Sequence, residues 1–213
     1  FKSINSKNVT VISNGWDDSD MPTAQTKNPL GWVRFRLAFV GHLGEHTLPQ
    51  KFLQTLEPIL DEKHESLRDL KISFVGSKSS LASKQLKDFR YKDVIELHEE
   101  VSRPVAIKIM QDADAILIIN ESRLNRYIPG KLYDYISART PIIVYGQGGE
   151  IERIIQKLHV GIVIPENNDE ELLSALLRVH TIKPNCLSKE TENWLEKHTR
   201  SESANKIVDM LDV

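Results

Sequence analysis

Among the charged residues, Lys131 and Asp134 have the spacing that best indicates a ligand-binding site. They follow Pro129 and Gly130, and proline is favoured at the start of a helix. Residues three apart share one helical face, so both charges lie near the helix start. A lysine there can bind a diphosphate together with free backbone amides, and a carboxylate one turn later can accept hydrogen bonds from two ribose hydroxyls. A simple surface ion pair between the two residues explains the same spacing.

Small and polar residues follow five of the apolar runs that predict strands. In open parallel α/β sheets, ligands bind outside the carboxyl ends of the strands. Glycine there allows backbone amides to approach a phosphate, although any single glycine can also do no more than turn the chain. The shared location of these small and polar residues at the strand ends therefore predicts a ligand-binding edge. It is formed by residues 41–42, 76–78, 99–102, 120–131 and 146–150.

Apolar runs alternate with helical patterns along most of the chain. The predicted strands are residues 33–40, 70–75, 94–97, 113–119, 141–145 and 160–164. The predicted helices are residues 47–60, with Thr47 as N-cap, 80–89, 102–110, 131–138, 150–158 and 169–179. This alternation predicts an α/β fold with a mostly parallel sheet and helices on both faces.

The two ends of the chain read differently from the middle. Residues 9–12 predict a short strand, and residues 16–31 predict a long polar loop. Residues 188–213 predict a long or broken helix. Its apolar side chains include Trp194 and Leu211, and its end is expected to pack on residues 1–31 or to stand partly exposed.

Composition excludes several classes of protein. The chain has 213 residues and a formal net charge of −2, which argues against a general nucleic-acid binder. No apolar run approaches the roughly 20 residues of a membrane span. Cys186 is the single cysteine, so no internal disulfide can form, and a cytoplasmic location is expected. The chain begins with Phe1, without a signal segment, and we expect it to be a fragment of a longer protein.

Two patterns resemble metal sites but do not predict one. Asp18 and Asp20 flank a serine, as in metal-binding Asp-x-Asp motifs, yet they lie in a polar loop before the sheet. His42 and His46 are four residues apart, but Gly44 argues against a helix that would align them. We therefore predict neither a metal nor a cofactor.

Several segments together resemble the C-terminal domain of family-four glycosyltransferases of the GT-B type. Each segment alone is weak, but their order and spacing over about residues 1–180 are fairly specific. The segments are residues 8–17 (NVTVISNGWD), 39–43 (FVGHL), 72–76 (ISFVG), 113–117 (ADAIL), 128–135 (IPGKLYDY), 140–143 (TPII) and 148–151 (GGEI).

The resemblance implies a Rossmann-like domain that binds a nucleotide diphospho-sugar. Implied partners are an N-terminal acceptor domain, missing from this chain, and a glycan or lipid-linked acceptor, as in polysaccharide biosynthesis. Transfer of a hexose with retention and without a metal is implied, and contact with the inner face of the membrane stays open. The predicted division is a leading segment and loop at 1–31, the nucleotide-sugar-binding domain at 32–185, and a helical segment at 186–213 that returns to the missing domain. The fragment alone is expected to be inactive.

The family's motif positions can be carried over only in part. Members often have two glutamates separated by seven residues; the second, which holds the ribose, matches Asp134, and the first falls on Arg126. Glu121 is a displaced candidate for that first, sugar-proximal role. An arginine that follows the first-strand glycine in many members is replaced by His42, so the phosphate role is expected to pass to Lys131.

The predicted donor-binding set combines these positions with the strand ends. It comprises Gly41, His42, Gly76, Ser77, Val101, Ser102, Tyr127, Pro129, Gly130, Lys131, Leu132 and Asp134. Arg126 and Glu121 are the only candidates for a catalytic role. Two alternatives stay open: a sugar-nucleotide epimerase of the same architecture, and a nucleotide-sugar-binding domain without catalysis.

Overall fold

The computed structural model describes residues 10–20, 35–179, 182 and 188–211. Six parallel strands form one sheet within these ranges. They are β1 (Arg36–Val40), β2 (Lys71–Val75), β3 (Ile95–His98), β4 (Ala115–Ile119), β5 (Ile142–Tyr145) and β6 (Gly161–Ile164). The helices are α1 (Gln50–Asp61), α2 (Ser80–Asp88), α3 (Arg103–Asp112), α4 (Gly130–Ser137), α5 (Gly149–Leu158), α6 (Asp169–Arg178), α7 (Lys189–Lys197) and α8 (Arg200–Leu211).

The strand order in the sheet is β3-β2-β1-β4-β5-β6. Phe39 of β1 lies opposite Phe74 of β2, and Leu37 of β1 lies opposite Ala115 of β4. The direction of winding therefore reverses between β1 and β4. In doubly wound sheets this reversal opens a crevice at the carboxyl ends of the two strands, which is where ligands bind.

Helices cover both faces of the sheet and bury its apolar strands. On one face lie α1, α2 and α6, with Phe52 and Leu172 among their buried side chains. On the other face lie α3, α4, α5 and α7, with Tyr135 and Ile155 among theirs. Because both faces are covered, β4 and β5 are almost continuously apolar rather than alternating. The predicted Rossmann-like α/β fold is confirmed.

The described part of the leading segment, residues 10–20, contacts the junction between α7 and α8. Trp16 is buried, donates from its indole to the Leu195 carbonyl at 2.9 Å, and forms an isolated parallel bridge with Thr199. Ser203 of α8 donates to the Ser13 carbonyl at 3.1 Å. The broken helix predicted at the C-terminus is confirmed. Its middle, residues 195–203, contacts the leading segment, while its end exposes Ile207, Val208, Met210 and Leu211.

Two local predictions are wrong. Residues 10–12 are not a strand, because none of the described strands pairs with them, and Val11 is 86% exposed; Val9 lies outside the described residues. Thr47 is not an N-cap: it ends a short 3-10 helix, and its hydroxyl accepts from the Gly44 amide, while Pro49 caps α1. The predicted boundaries at 31/32 and 185/186 fall outside the described residues and stay predictions.

Candidate functional site

A cavity of about 430 Å³ opens at the reversal point between β1 and β4. The loop after β1 forms one wall, the end of β4 and the loop after it form another, and α5 contributes Ile151. The full lining is His42, Gly44, Glu45, His46, Thr47, Ile118, Ile119, Asn120, Glu121, Leu124, Tyr127, Pro129, Lys131 and Ile151. This is the location that the strand-end residues predict for a ligand.

Lys131 reaches from the start of α4 across to the end of β1. Its Nζ lies 4.3 Å from the centre of the Phe39 ring, and a Cβ added at Gly41 would be 3.6 Å from it. Burial lowers the pKa of Lys131 to about 8, and no opposing charge counters this effect. Lys78, by contrast, donates to the carbonyls of Gly76 and His98, both at 2.6 Å. Lys131 therefore lines the cavity without a carboxylate partner among the described residues.

Within the described ranges, the first turn of α4 lacks a side-chain cap and an acidic residue. The Leu132 amide already donates to the Pro129 carbonyl at 3.0 Å, so the available amides are those of Gly130 and Lys131. The helix dipole places partial positive charge at this end, next to the lysine. Both features favour a negatively charged group at this end of α4.

Contacts inside the protein fix the position of α4. The Tyr135 hydroxyl donates to the Val40 carbonyl at 2.6 Å and accepts from the Val40 amide at 3.0 Å. Asn14 of the leading segment lies over the helix start, because its Nδ2 would be 2.7 Å from a Cβ at Gly130. A side chain at position 130 would therefore collide with Asn14. Glycine allows this close approach.

Asp134 does not pair with Lys131. Its Oδ1 accepts from Nη2 of Arg103, the first residue of α3, at 2.9 Å. The surface ion pair that the sequence spacing allowed between Lys131 and Asp134 is therefore absent, which leaves the lysine available to a ligand. Asp134 keeps 23% of its side chain exposed at the same edge of the sheet.

The ends of β1 and β2 lie side by side. A Cβ at Gly76, where φ is +119°, would be only 2.5 Å from the Gly41 carbonyl oxygen, so only glycine fits there. His42 lies 3.0 Å from the Ser77 hydroxyl through its Nδ1, and both side chains are exposed. These four predicted residues are thus brought together, and His42 reaches the cavity.

The loop after β4 brings an acidic group to the cavity wall. The Glu121 carboxylate lies 2.9 Å from Nδ1 of His46 across the crevice, and it also pairs with Arg123. Arg126, the residue at the family's first glutamate position, is exposed and is not among the cavity-lining residues. Of the two candidates for a catalytic role, the structure therefore places Glu121 at the cavity.

The remaining predicted residues divide into two groups. Tyr127, which is 58% exposed, and Pro129 line the cavity with Lys131. Val101 and Ser102 lie at the start of α3, beside Arg103 and outside the cavity. Leu132 is fully buried in the core, so its side chain is not available to a ligand.

No sequence pattern indicates Arg103, His46 or Asn14 as residues of the donor site. Their partners Asp134, Glu121 and Gly130 lie 31, 75 and 116 residues away, so only the folded topology brings them together. The position of Arg103 at the start of a predicted helix was the one signal that could have indicated it.

The described residues contain neither a cluster suited to a metal ion nor a helix suited to a membrane span. No group of three or more His, Cys, Asp or Glu side chains in that part of the chain is arranged to hold a metal ion. Asp18 bonds to Ser201 of α8 at 3.0 Å instead. Among the described helices, none has the length and apolar character that a membrane span needs.

Comparison with solved structures identifies relatives of this fold. WaaG, a glycosyltransferase involved in lipopolysaccharide biosynthesis, matches with a TM-score of 0.67 and 17% identity, over 97% of this chain and 57% of WaaG. A trehalose-6-phosphate synthase matches with a TM-score of 0.70 and 13% identity, over 96% and 52%. The UDP-GlcNAc 2-epimerase of Methanocaldococcus jannaschii matches with a TM-score of 0.56 and 17% identity, over 84% and 46%.

At these identities the likeness shows the fold, and the chain spans 46% to 57% of the length of the three relatives. No curated protein matches the chain. The sequence profile described as glycosyl transferases group 1 matches residues 34–181, which is more than half of the chain. The fold, the site at the reversal point and this match agree with the resemblance seen in the sequence. The chain belongs to the group 1 glycosyl transferases.

Proposed function

We propose that this chain is the donor-binding half of a glycosyltransferase and binds a nucleotide diphospho-sugar at the reversal point. In this proposal the diphosphate contacts Lys131 and the first amides of α4, the ribose contacts Asp134, and the sugar enters the 430 Å³ cavity. The observation that carries the proposal is the half-buried Lys131, which faces the cavity with no carboxylate partner in the described ranges.

A buried ammonium without a counter-ion is costly, because burial disfavours the charged form. A diphosphate in the cavity would supply the missing negative charge and would also accept hydrogen bonds from the bare helix start. Lys131 would then stabilise the charge that builds on the leaving diphosphate when the bond to the sugar breaks.

The remaining parts of the proposal follow from membership of the family. An N-terminal Rossmann-like domain would bind a glycan or lipid-linked acceptor, and the reaction would transfer a hexose with retention and without metal or cofactor. Polysaccharide biosynthesis in the cytoplasm, with peripheral contact at the inner face of the membrane, is the setting we infer. Without the acceptor domain, the chain would bind the donor and not transfer its sugar.

Calorimetry with UDP, GDP and ADP, each compared with its monophosphate, tests this proposal. The preferred diphosphate should bind about tenfold or more tightly than the monophosphate, because only the diphosphate reaches both Lys131 and the α4 amides. Equal affinity for the two would contradict the diphosphate assignment, and no binding of any nucleotide would contradict the function as a whole.

An epimerase is the second candidate, since the M. jannaschii epimerase shares the fold. Incubation of the chain with UDP-GlcNAc, followed by separation of the sugar nucleotides, tests for this second reaction. A stereoisomer of the sugar at C2 would favour the epimerase.

A further inference from the structure

Arg103 connects the start of α3 to the carboxylate assigned to the ribose. It is the first residue of α3, and its Nη2 donates to Oδ1 of Asp134 on α4 at 2.9 Å. About a third of the Arg103 side chain and a quarter of the Asp134 side chain are exposed, at 37% and 23%. Because α3 begins after the carboxyl end of β3, the pair lies at the strand-end edge of the sheet, and its exposure allows a bound molecule to reach it.

Arg103 also lies near the leading segment. Hydrogen bonds from Ser19 are the main cause of the lowered pKa of Asp17, and the charges of Arg200 and then Arg103 lower it further. Asp17 in turn lies 3.5 Å from Nη1 of Arg200 at the start of α8. Arg103 also makes at least one further polar, ionic or ring contact. The guanidinium thus contacts α4 and lies near the leading segment.

The contact determines what Asp134 can offer to a ligand. Arg103 occupies Oδ1, whereas no hydrogen-bond partner within the described ranges holds Oδ2. A partly exposed aspartate without a partner rotates about its terminal bond, which is broad and roughly two-fold. The bond from the planar guanidinium to Oδ1 restricts this rotation and leaves Oδ2 to accept from a ligand.

We propose that Arg103 is a positioning residue for ribose recognition, which holds the Asp134 carboxylate so that its second oxygen accepts from the 2′-hydroxyl of the nucleotide. The inference rests on the proposed function, since it requires a nucleotide at this edge of the sheet. It adds a specificity determinant: discrimination between ribose and deoxyribose depends on α3 as well as on Asp134.

The test uses UDP, GDP and ADP, each with its 2′-deoxy analogue, in calorimetric titrations. The wild-type chain should prefer the ribonucleotide by about tenfold, the factor expected for one charge-assisted hydrogen bond. In Arg103→Gln the preference should fall to about two- to threefold, through weaker binding of the ribonucleotide with little change for the deoxy form. Asp134→Ala should abolish the preference, and adding Arg103→Gln to it should change nothing further.

A matched control removes the same charge elsewhere. Arg90 forms an exposed ion pair with Asp61 at 2.6 Å where α1 and α2 end, away from the carboxyl ends of the strands, so Arg90→Gln should keep the full ribose preference. Exposed ion pairs contribute little to stability, so both arginine variants should fold, which circular dichroism checks.

Two results would overturn the proposal. One is an unchanged ribose preference in Arg103→Gln. The other is an equal loss of both nucleotides, which would make Arg103 an electrostatic aid to the phosphates. Failure of the wild-type chain to bind any of the six nucleotides would instead overturn the proposed function.

Discussion

The starts of α4 and α6 show two opposite ways to begin a helix. At α6, the Asn168 side chain accepts from the Glu171 amide at 3.0 Å, and the first turn carries Asp169, Glu170 and Glu171. At α4, no described side chain caps the helix, and a half-buried lysine stands at the positive end of the dipole. The first arrangement satisfies the helix internally, whereas the second leaves both amides and charge without a partner.

This difference separates stability from binding. Caps and acidic residues at a helix start each stabilise the helix by about 0.3–2 kcal/mol. The α4 start lacks these contributions at the point where the sheet opens its crevice. Residues that break local rules in this way are expected at functional sites. The comparison can be tested by substitutions that remove the charge or add a cap at the start of α4, and that remove the cap at the start of α6.

The largest effect on stability is expected from Lys131→Met. The pKa of this lysine falls from 10.5 in the unfolded chain to about 8 in the folded protein, so folding is penalised below pH 8, and the penalty fades as the pH rises towards 10.5. The variant should therefore be more stable at pH 7 by about 1–3 kcal/mol, with the gain lost near pH 10.5. Urea unfolding at several pH values measures this.

Lys84→Met provides the matched control, since Lys84 is exposed on α2. It loses the same charge and should change stability by less than about 0.5 kcal/mol at any pH. If Lys131→Met were as neutral as the control, the burial of an unpaired charge at α4 would not be a cost.

A second change gives α4 the kind of cap that α6 has. Pro129 is the N-cap of α4, so Pro129→Asp places an acceptor and a negative charge over the free amides. Affinity for the preferred nucleoside diphosphate should fall by about tenfold or more, because the carboxylate both occupies the amides and repels the phosphates. Calorimetry measures the loss.

Pro129→Ser separates the two causes. Serine caps without a charge, so its loss of affinity should be clearly smaller than that of the aspartate variant. Equal and negligible losses in both variants would show that the diphosphate does not use the start of α4.

The smallest effect is expected at α6. Asn168→Ala removes the cap and should destabilise the protein by about 1 kcal/mol without changing nucleotide affinity. Asn168→Asp keeps an acceptor and should stay close to wild type in urea unfolding. A change in nucleotide affinity in Asn168→Ala would contradict the division between a structural and a ligand-binding helix start.

The fold was largely predictable, because strand and helix periodicities differ and glycines follow the strand ends. The position of Lys131 at a helix start was also predictable, because Pro129 and Gly130 indicate a helix start in the segment that follows an apolar strand. Thr47 and residues 10–12 were misread because their local patterns fit a cap and a strand, while tertiary packing assigns them elsewhere.

The details of the site were less predictable, because they depend on contacts between distant segments. The spacing of Lys131 and Asp134 allowed an ion pair, and only the packing of α3 beside α4 assigns Asp134 to Arg103. The pair of His46 and Glu121 joins two loops across the crevice, which no local pattern indicates.

The central claim is that Lys131 is a protonated diphosphate ligand, and its pH dependence tests this most directly. Calorimetry of the preferred nucleoside diphosphate between pH 7 and 9 should show wild-type affinity falling by up to about tenfold, because the free lysine loses its proton near pH 8. Lys131→Ala keeps His42 and His46 in the cavity, so any contribution of the histidines remains in it. The account predicts that this variant binds about tenfold or more weakly at pH 7 and shows little further loss by pH 9. Parallel pH profiles and equal affinities in the two proteins would contradict it.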